Sequence, residues 1–351
     1  MKQNLINLAK ILVTLALFAF LLTRINLQQV WGIIVQANVP LLLLALALYF
    51  GAIVLGAVKW KILVHAQNID ASLGALLSFS LLGLFFGNVM PSNIGGDVVR
   101  AYDLARVTRG RVEAAAISVL VDRLMGMFAF FSAAVVTAAL ATVMLAQAQQ
   151  LEQIEIATVI AASAFMALCA ALFSRRLAQR FKFIFEIGAL QRVKPTAQNV
   201  YRALQVYRFR YGALALNVLI SMTIVVITAF VWFLVGRAVG IANVSFFYFL
   251  LFNPLIGFLL LIPLSFNGLG AKETIVVFFF SSVGAEPERA LAMSLLFHVI
   301  VVATSLPGGL VWFSKRRQTE IPPMNSIGPS IRNDTAPPRH PSPITSPDSS
   351  Q

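Results

Sequence analysis

The sequence predicts an all-α polytopic membrane protein. Of its 351 residues, 59% are hydrophobic and 12% are charged, about half the charged fraction of an ordinary soluble domain. Several apolar runs reach the roughly 20 residues that a helix needs to cross a bilayer. The formal net charge of +13 comes from bases that flank these runs, which favours anionic lipid headgroups over nucleic acid as the contact. The single cysteine, Cys169, excludes an intrachain disulfide and a cysteine-based metal site.

Six apolar segments are predicted to cross the membrane completely. The first follows Lys2, as a signal peptide would, but no small-residue cleavage site comes after it, so it is interpreted as an uncleaved span. Trp31 and Trp60 suit the interfacial belt of the membrane. The longest segment exceeds one perpendicular span, so we expect it to be tilted or to begin as an interfacial turn. The six segments lie at about 6–22, 39–58, 112–146, 156–173, 213–235 and 291–313.

Two further apolar segments are predicted to be broken or re-entrant hairpins. The positive-inside rule places the basic segments and both termini in the cytoplasm. Segment 73–104 must then enter and leave from the cytoplasmic side, and segment 246–283 from the opposite side. Both contain proline, serine, asparagine, glycine and then charge, and a serine (Ser118 or Ser294) follows each about twenty residues later. This similarity predicts an inverted repeat, at whose junction transporters often bind substrate.

Composition also divides the chain into a membrane domain and a tail. Residues 1–317 form the predicted membrane domain, with a basic insertion at 174–211 that contains one acidic residue, Glu186. Helical spacing in this insertion favours amphipathic helices on an anionic leaflet, although a loop that only sets topology is equally open. Residues 318–351 are rich in proline, serine and threonine, which predicts a disordered cytoplasmic tail.

The first hairpin carries the clearest candidate site. Gly95 and Gly96 allow close backbone approach, and a helix that begins near Asp97 would direct its free N–H groups at the loop, where they suit a phosphate. Because Asp97 would repel an anion, we expect it to cap the helix or pair with a base while Arg100 contacts the ligand. A capped turn that simply ends a broken helix is the alternative.

Asp122 and Arg123 are charged residues inside an apolar segment. As neighbours on a helix they point about 100° apart, so each needs another partner. Arg100 is the candidate partner for Asp122, and Asp97 or Asp103 is the candidate for Arg123. Such pairs could bind a ligand or only lock the first hairpin to the next span, and the sequence leaves both roles open.

The second hairpin repeats this pattern with Lys272 and Glu273 after a glycine-rich stretch. These two residues either complete the same cavity from the other side or cap a short helix. His65 and His298 stand apart from other metal-ligating residues, so no metal site is predicted. The sequence lacks a P-loop, a nucleophile elbow and an H-E-x-x-H motif, and we expect no cofactor and no catalytic residue.

These motifs together resemble a known family. The sequence is similar, over about residues 5–315, to the flippase-like membrane domain of lysylphosphatidylglycerol synthases. The wider family includes uncharacterised YbhN-like (UPF0104) proteins and an archaeal dolichol-phosphate hexose transferase relative. The motifs that carry the resemblance are Pro91-Ser-Asn-Ile-Gly-Gly-Asp97 with Arg100, Asp122-Arg123-Leu-Met-Gly126, Pro263-Leu-Ser-Phe-Asn-Gly-Leu-Gly270 with Glu273, and Leu306-Pro-Gly-Gly309.

The resemblance implies the inner membrane of a prokaryote and movement of a phospholipid or lipid-linked molecule between leaflets. Asp122-Arg123 stands where many relatives have Glu-Arg, which is a mild departure. The soluble aminoacyl-transferring domain of the synthases is absent, so lysyl transfer from tRNA is not implied.

The sequence therefore predicts a lipid flippase-like transporter rather than an enzyme. Arg100 and Arg123 are expected to bind phosphate, while carboxylates organise these arginines or bind a cationic headgroup. Membrane lipids are the expected partners, with a lipid-modifying enzyme as a further partner and no nucleic acid. The candidate substrate-binding or gating residues are Asn93, Gly95, Gly96, Asp97, Arg100, Asp122, Arg123, Ser265, Asn267, Gly268, Gly270 and Glu273.

Two other functions remain open on the sequence. One is a membrane transferase that acts on a polyprenyl-phosphate-linked sugar, with Asp97 or Asp122 as metal ligand or base. The other is a non-catalytic membrane subunit of a lipid or envelope synthesis complex, docked through the basic insertion at 174–211.

Overall fold

A computed structural model describes residues 23, 25–89, 95–108, 111–144, 163, 207, 209–260 and 270–318. Every regular element in these parts is a helix. Four of the described helices are long and apolar enough to cross a membrane, and two shorter apolar helices accompany them. The predicted all-α polytopic fold is therefore confirmed. The expected spans at 6–22 and 156–173, nearly all of the basic insertion and the tail lie outside the described residues.

Nine helices make up the described part of the chain. They are α1 (Leu27–Val35), α2 (Val39–Ala66), α3 (Leu73–Val89), α4 (Gly95–Val107), α5 (Val112–Met144), α6 (Tyr211–Ala238), α7 (Phe246–Leu259), α8 (Ala271–Ser282) and α9 (Pro287–Gln318). The chain divides into two compact units, Met1–Trp312 and Phe313–Gln351, and the described part of the second is the end of α9.

Helices α2–α5 and α6–α9 form two groups with the same order of elements. Each group begins with a helix of 28 residues. A short apolar helix of 17 or 14 residues comes next, and then a short helix of 13 or 12 residues. Each group ends in a long helix, of 33 residues in α5 and 32 in α9. The similarity between the two hairpins thus extends to the helices on either side of them.

The first helices of the two groups, α2 and α6, pack against each other in opposite directions. At one end, the backbone N–H of Asn38 donates to the carbonyl oxygen of Ala238, at 3.0 Å. At the other end, Nδ2 of Asn217 donates to the carbonyl oxygen of Lys59, at 3.1 Å. The start of α2 therefore lies beside the end of α6, and the reverse holds at the far end. This antiparallel pairing is the relation that an inverted repeat requires.

The last helix of each group packs on the first hairpin helix of the other group. A Cβ added at Gly308 of α9 would overlap the backbone of Leu81 in α3. In the corresponding contact, a Cβ added at Gly257 of α7 would lie 3.1 Å from the ring of Phe130 in α5. The two groups are therefore interleaved, since each covers part of the other.

Glycine also allows α3 and α4 to touch within the first hairpin. A Cβ added at Gly96 would overlap the carbonyl oxygen of Gly83, and one added at Gly83 would lie 2.7 Å from Cγ of Arg100. In the second hairpin, Gly270 has a φ of 78°, a left-handed conformation that favours glycine, directly before α8 begins. Both hairpins thus use glycine where the chain leaves its break.

The structure corrects one expected helix end and decides against one of two interpretations of another segment. The second span was expected to end near residue 58, but α2 continues to Ala66. Consequently Trp60 is fully buried rather than interfacial, and Lys59 is only 9% exposed. The segment from Val112, expected to be tilted or to begin as an interfacial turn, forms one continuous helix to Met144, so the separate turn is not formed. Helix α4 begins at Gly95, which places Asp97 in its first turn, as expected.

Candidate functional site

Asp122 of α5 is a buried carboxylate at the centre of a group of charged side chains. Its Oδ1 lies 2.9 Å from Nζ of Lys59 in α2, and its Oδ2 lies 3.2 Å from a terminal nitrogen of Arg100 in α4. Asn217 of α6 also donates to Oδ1, at 3.3 Å. The side chain of Asp122 is 6% exposed, so this carboxylate depends on its partners rather than on water. One acidic side chain thereby ties together four helices.

Asp97 extends the group along α4. One carboxylate oxygen accepts from Arg100 at 3.4 Å, and the other forms an ion pair with Arg123 of α5. The structure thus forms the predicted pair of Arg100 with Asp122, and of the two candidate partners for Arg123 it pairs Asp97 with this arginine. We refer to Lys59, Asp97, Arg100, Asp122 and Arg123 as the first-repeat cluster.

Trp60 positions the guanidinium of Arg100. The guanidinium carbon lies 4.3 Å from the centre of the indole ring, close enough for a cation–π contact. The indole Nε1 donates to Oγ of Ser118, at 3.1 Å. This ring therefore has a fixed orientation, and it fixes the arginine that stacks on it.

The first-repeat cluster combines three basic and two acidic side chains, joined by the ion pairs described above. In addition, Nε of Arg100 is buried without a hydrogen bond to any described residue. An unused N–H donor on a charged guanidinium suits an anionic ligand.

The first-repeat cluster borders an open cleft of about 570 Å³. Glycines of three helices form part of its wall, at Gly56, Gly83, Gly87 and Gly96. Oγ of Ser80, which also lines the cleft, forms no hydrogen bond with any described residue. The cleft reaches Ala52 and Ile224, which lie at the midpoints of α2 and α6. It therefore runs from the charged cluster to the middle of the antiparallel helix pair.

The structure brings together one part of the predicted site. Gly96, Asp97, Arg100 and Asp122 line the cleft, and Arg123 joins them through Asp97. Gly95 begins α4 but is not part of the cleft wall. Asn93, Ser265, Asn267 and Gly268 lie outside the described residues.

In the second hairpin, Glu273 caps a short helix, which is one of the two roles expected for it. Its Oε2 accepts from the backbone N–H of Gly270, at 2.8 Å, at the start of α8. Neither residue belongs to the described lining of the cleft. The expectation that the second hairpin completes this cleft is therefore not met by these two residues.

Sequence reasoning missed three members of the site: Lys59, Trp60 and Asn217. Lys59 and Trp60 follow a long apolar run and were interpreted as its end at the membrane surface. The signal that they lie inside the protein is the further apolar sequence of α2, which continues to Ala66. No comparable sequence signal marks Asn217, because a single asparagine in an apolar helix is compatible with many structural roles.

The hydrogen bond between Trp60 and Ser118 provides a first test of the packing. Replacing Ser118 with alanine leaves the buried indole N–H without its acceptor, and we expect a loss of about 1–3 kcal/mol in unfolding free energy. Denaturant unfolding in detergent, followed by tryptophan fluorescence, measures this loss. The control is Thr223→Ala, which removes an exposed hydroxyl and should change stability by less than about 0.5 kcal/mol. Equal stability of the two variants would contradict the assigned contact.

The fold and the site together define a polytopic helical membrane protein with an inverted repeat and a charged cleft. A family model described as the lysylphosphatidylglycerol synthase TM region matches residues 7–308. The chain belongs to this family.

Two archaeal proteins described as UPF0104 membrane proteins are similar to the chain. The one from Methanocaldococcus jannaschii is 22% identical over 312 residues, which cover 85% of this chain and 90% of that protein. The one from Methanothermobacter thermautotrophicus is 34% identical over 103 residues, which cover 29% of this chain and 30% of that protein. The resemblance stated from the sequence motifs is thus confirmed at the level of the family.

Proposed function

We propose that the protein is a flippase-like transporter that moves a phospholipid or lipid-linked molecule between the leaflets of a prokaryotic inner membrane. The observation that carries this proposal is the open cleft, which connects the first-repeat cluster to the middle of the α2–α6 pair. Substrate sites near the midplane, at the junction of inverted repeats, are common among transporters.

The size and lining of the cleft suit a lipid headgroup. A volume of about 570 Å³ lies within the range of small-ligand sites. The Nε–H of Arg100, which bonds to no described residue, and the hydroxyl of Ser80 both favour an anionic group such as phosphate. Because the cleft is open and partly walled by apolar residues and glycine, acyl chains can remain in the surrounding lipid.

The distribution of basic side chains supports a cytoplasmic location for the end of the bundle where α2 ends and α6 begins. Exposed bases occur where α2 ends and α6 begins, at Lys61 and Arg210. Arg111, at the start of α5, also belongs to this end, since it donates to the carbonyl oxygen of Asn68 at 3.4 Å. By the positive-inside rule this end is cytoplasmic, and the first-repeat cluster then lies toward the cytoplasmic leaflet.

Lipid translocation in sealed proteoliposomes tests the proposal. Labelled anionic, zwitterionic and aminoacylated lipids are scored by leaflet for the wild-type protein, Arg100→Ala and Asp122→Asn. We expect the wild type to move one class, and both variants to lose this activity while they remain folded by size-exclusion chromatography. If the wild type moves none of these lipids, the flippase proposal is wrong for the three lipid classes tested. Consumption of a polyprenyl-phosphate-linked sugar would instead support the transferase interpretation.

A steric variant tests the cleft without changing its charge. Gly87 lines the cleft and has no atom within 4 Å of an added Cβ, so leucine at this position would occupy the open space. We expect Gly87→Leu to abolish translocation in the same vesicles. Gly51→Leu is the matched control, because Gly51 also has free space around it but does not line the cleft. Full activity of Gly87→Leu would show that the substrate does not use this cleft.

A further inference from the structure

The two carboxylates of the first-repeat cluster are held very differently. The Asp122 side chain is 6% exposed and contacts three side chains at 2.9, 3.2 and 3.3 Å, those of Lys59, Arg100 and Asn217. The Asp97 side chain is 25% exposed and contacts Arg100 at 3.4 Å. Both carboxylates share Arg100, and Asp97 is the one that holds it by the longer and more solvated contact.

Asp97 also belongs to the wall of the open cleft. It precedes Arg100 by three residues on α4, so the two side chains lie on neighbouring positions of one helix face, and both line the cleft. A carboxylate repels an anion placed beside it and accepts from the same N–H donors. An anionic ligand in the cleft and Asp97 therefore compete for Arg100.

Arg100 can exchange this partner without losing its position. One terminal nitrogen lies 3.2 Å from the Asp122 carboxylate, and the guanidinium stacks on Trp60 at 4.3 Å from the ring centre. A guanidinium has five N–H donors, and Nε of Arg100 bonds to no described residue. Release of Asp97 thus leaves the arginine in place with donors that a ligand in the cleft can use.

Asp97 keeps a charged partner when it leaves Arg100. The carboxylate oxygen that does not contact Arg100 forms the ion pair with Arg123 of α5. The Arg123 side chain is 34% exposed, so this pair lies at a more solvated place than the pairs of Asp122. Displacement of Asp97 from Arg100 therefore does not create a carboxylate without a counter-ion.

We propose that Asp97 is a displaceable counter-ion, which holds Arg100 between transport cycles and gives it up to a phosphate group of the substrate. This inference rests on the proposed transport function and names the substrate class as lipids that carry a phosphate in the headgroup. The hydroxyl of Ser80, which lines the same cleft and bonds to no described residue, donates a second hydrogen bond to the phosphate. When Asp97 returns to Arg100, the phosphate is released.

The asparagine variant of Asp97 separates competition from positioning. If Asp97 competes with phosphate, its neutral replacement binds phosphate more tightly, whereas loss of a residue that only positions Arg100 weakens binding. The amide oxygen can still accept from Arg123. From the strength of partly exposed ion pairs, we expect the dissociation constant (Kd) of Asp97→Asn to fall about threefold to fivefold.

Binding of short-chain phosphatidic acid to the full-length protein in detergent, measured by isothermal titration calorimetry, tests the proposal. Asp97→Glu keeps the charge and should return the Kd toward the wild-type value. Glu113→Gln is the control, because it removes an exposed carboxylate at the start of α5, outside the described lining of the cleft, and should leave the Kd unchanged. A Kd that rises or stays constant in Asp97→Asn, or no binding by either protein, overturns the proposal.

Inorganic phosphate in the same titration identifies the source of the phosphate group. It shares its chemistry with phosphatidic acid and lacks only the glycerol and acyl chains. We expect the wild type to bind inorganic phosphate more weakly than the lipid, and Asp97→Asn to tighten the binding of both. Equal affinity of the wild type for the two would make free phosphate the ligand and would overturn the assignment to lipids.

Translocation of labelled phosphatidic acid in sealed proteoliposomes connects the binding site to the transport cycle. We expect Asp97→Asn to reach half of its maximal rate at a lower lipid fraction and to have a lower maximal rate, because no carboxylate returns to displace the phosphate. If binding tightens but the wild type moves no lipid, the transport function is wrong and the role of Asp97 in binding stands. If both transport parameters equal those of the wild type, release by Asp97 is wrong.

Discussion

Replacing Asp122 with asparagine is expected to lower the free energy of unfolding by about 3–5 kcal/mol. The change leaves the ammonium of Lys59 and the guanidinium of Arg100, whose side chains are 11% and 16% exposed, without the carboxylate that lies 2.9 and 3.2 Å from them. Asn217 also loses a charged acceptor. Denaturant unfolding in mild detergent, followed by tryptophan fluorescence, measures the change.

A double variant separates the coupling energy between Lys59 and Asp122 from the effect of losing one side chain alone. In Lys59→Gln/Asp122→Asn the uncompensated charge of Lys59 is removed and two amides can bond to each other, so we expect a coupling energy of about 1–3 kcal/mol. Glu286→Gln, which breaks the exposed pair with Arg289, should cost less than about 1 kcal/mol. If Asp122→Asn costs no more than this surface variant, Asp122 does not hold the four helices together.

Replacing Gly96 with alanine is expected to be the second most damaging change. The new Cβ would overlap the carbonyl oxygen of Gly83, and because this atom belongs to the backbone, α3 and α4 would have to separate. Overpacking of this kind costs about 3 kcal/mol. The shift would also displace Asp97 and Arg100, so we expect lipid translocation to be lost even in protein that still folds.

Gly87→Ala is the matched control for this prediction. Gly87 belongs to α3, and an added Cβ meets no atom within 4 Å. Alanine should therefore leave stability unchanged or raise it by up to about 1 kcal/mol through its higher helix propensity. Translocation by Gly96→Ala at the level of Gly87→Ala would mean that close contact between α3 and α4 is not needed for activity.

Much of the fold could be predicted because the membrane restricts what the chain can do. Apolar length predicts spanning helices, and the breaks in the hairpins are marked by proline and glycine. The ion pairs of Asp122 with Arg100 and of Asp97 with Arg123 also followed from the sequence, since a buried charge needs a partner and few were available.

The rest of the site depends on information that a single helix does not contain. Lys59 looked like the boundary of a span because lysine is common there, and only the packing of α2 against α5 shows its pairing with Asp122. Asn217 enters the site because α6 runs antiparallel to α2.

The contact between Gly308 and Leu81 has a consequence for biosynthesis. Leu81 leaves the ribosome long before Gly308, and at about 5–20 residues per second the interval is on the order of 10–45 s. During this time the face of α3 that α9 will cover is not yet in contact with α9. A chain truncated before α9 therefore leaves this face without its partner helix, and we expect membrane proteases to degrade such a chain faster than the full-length protein.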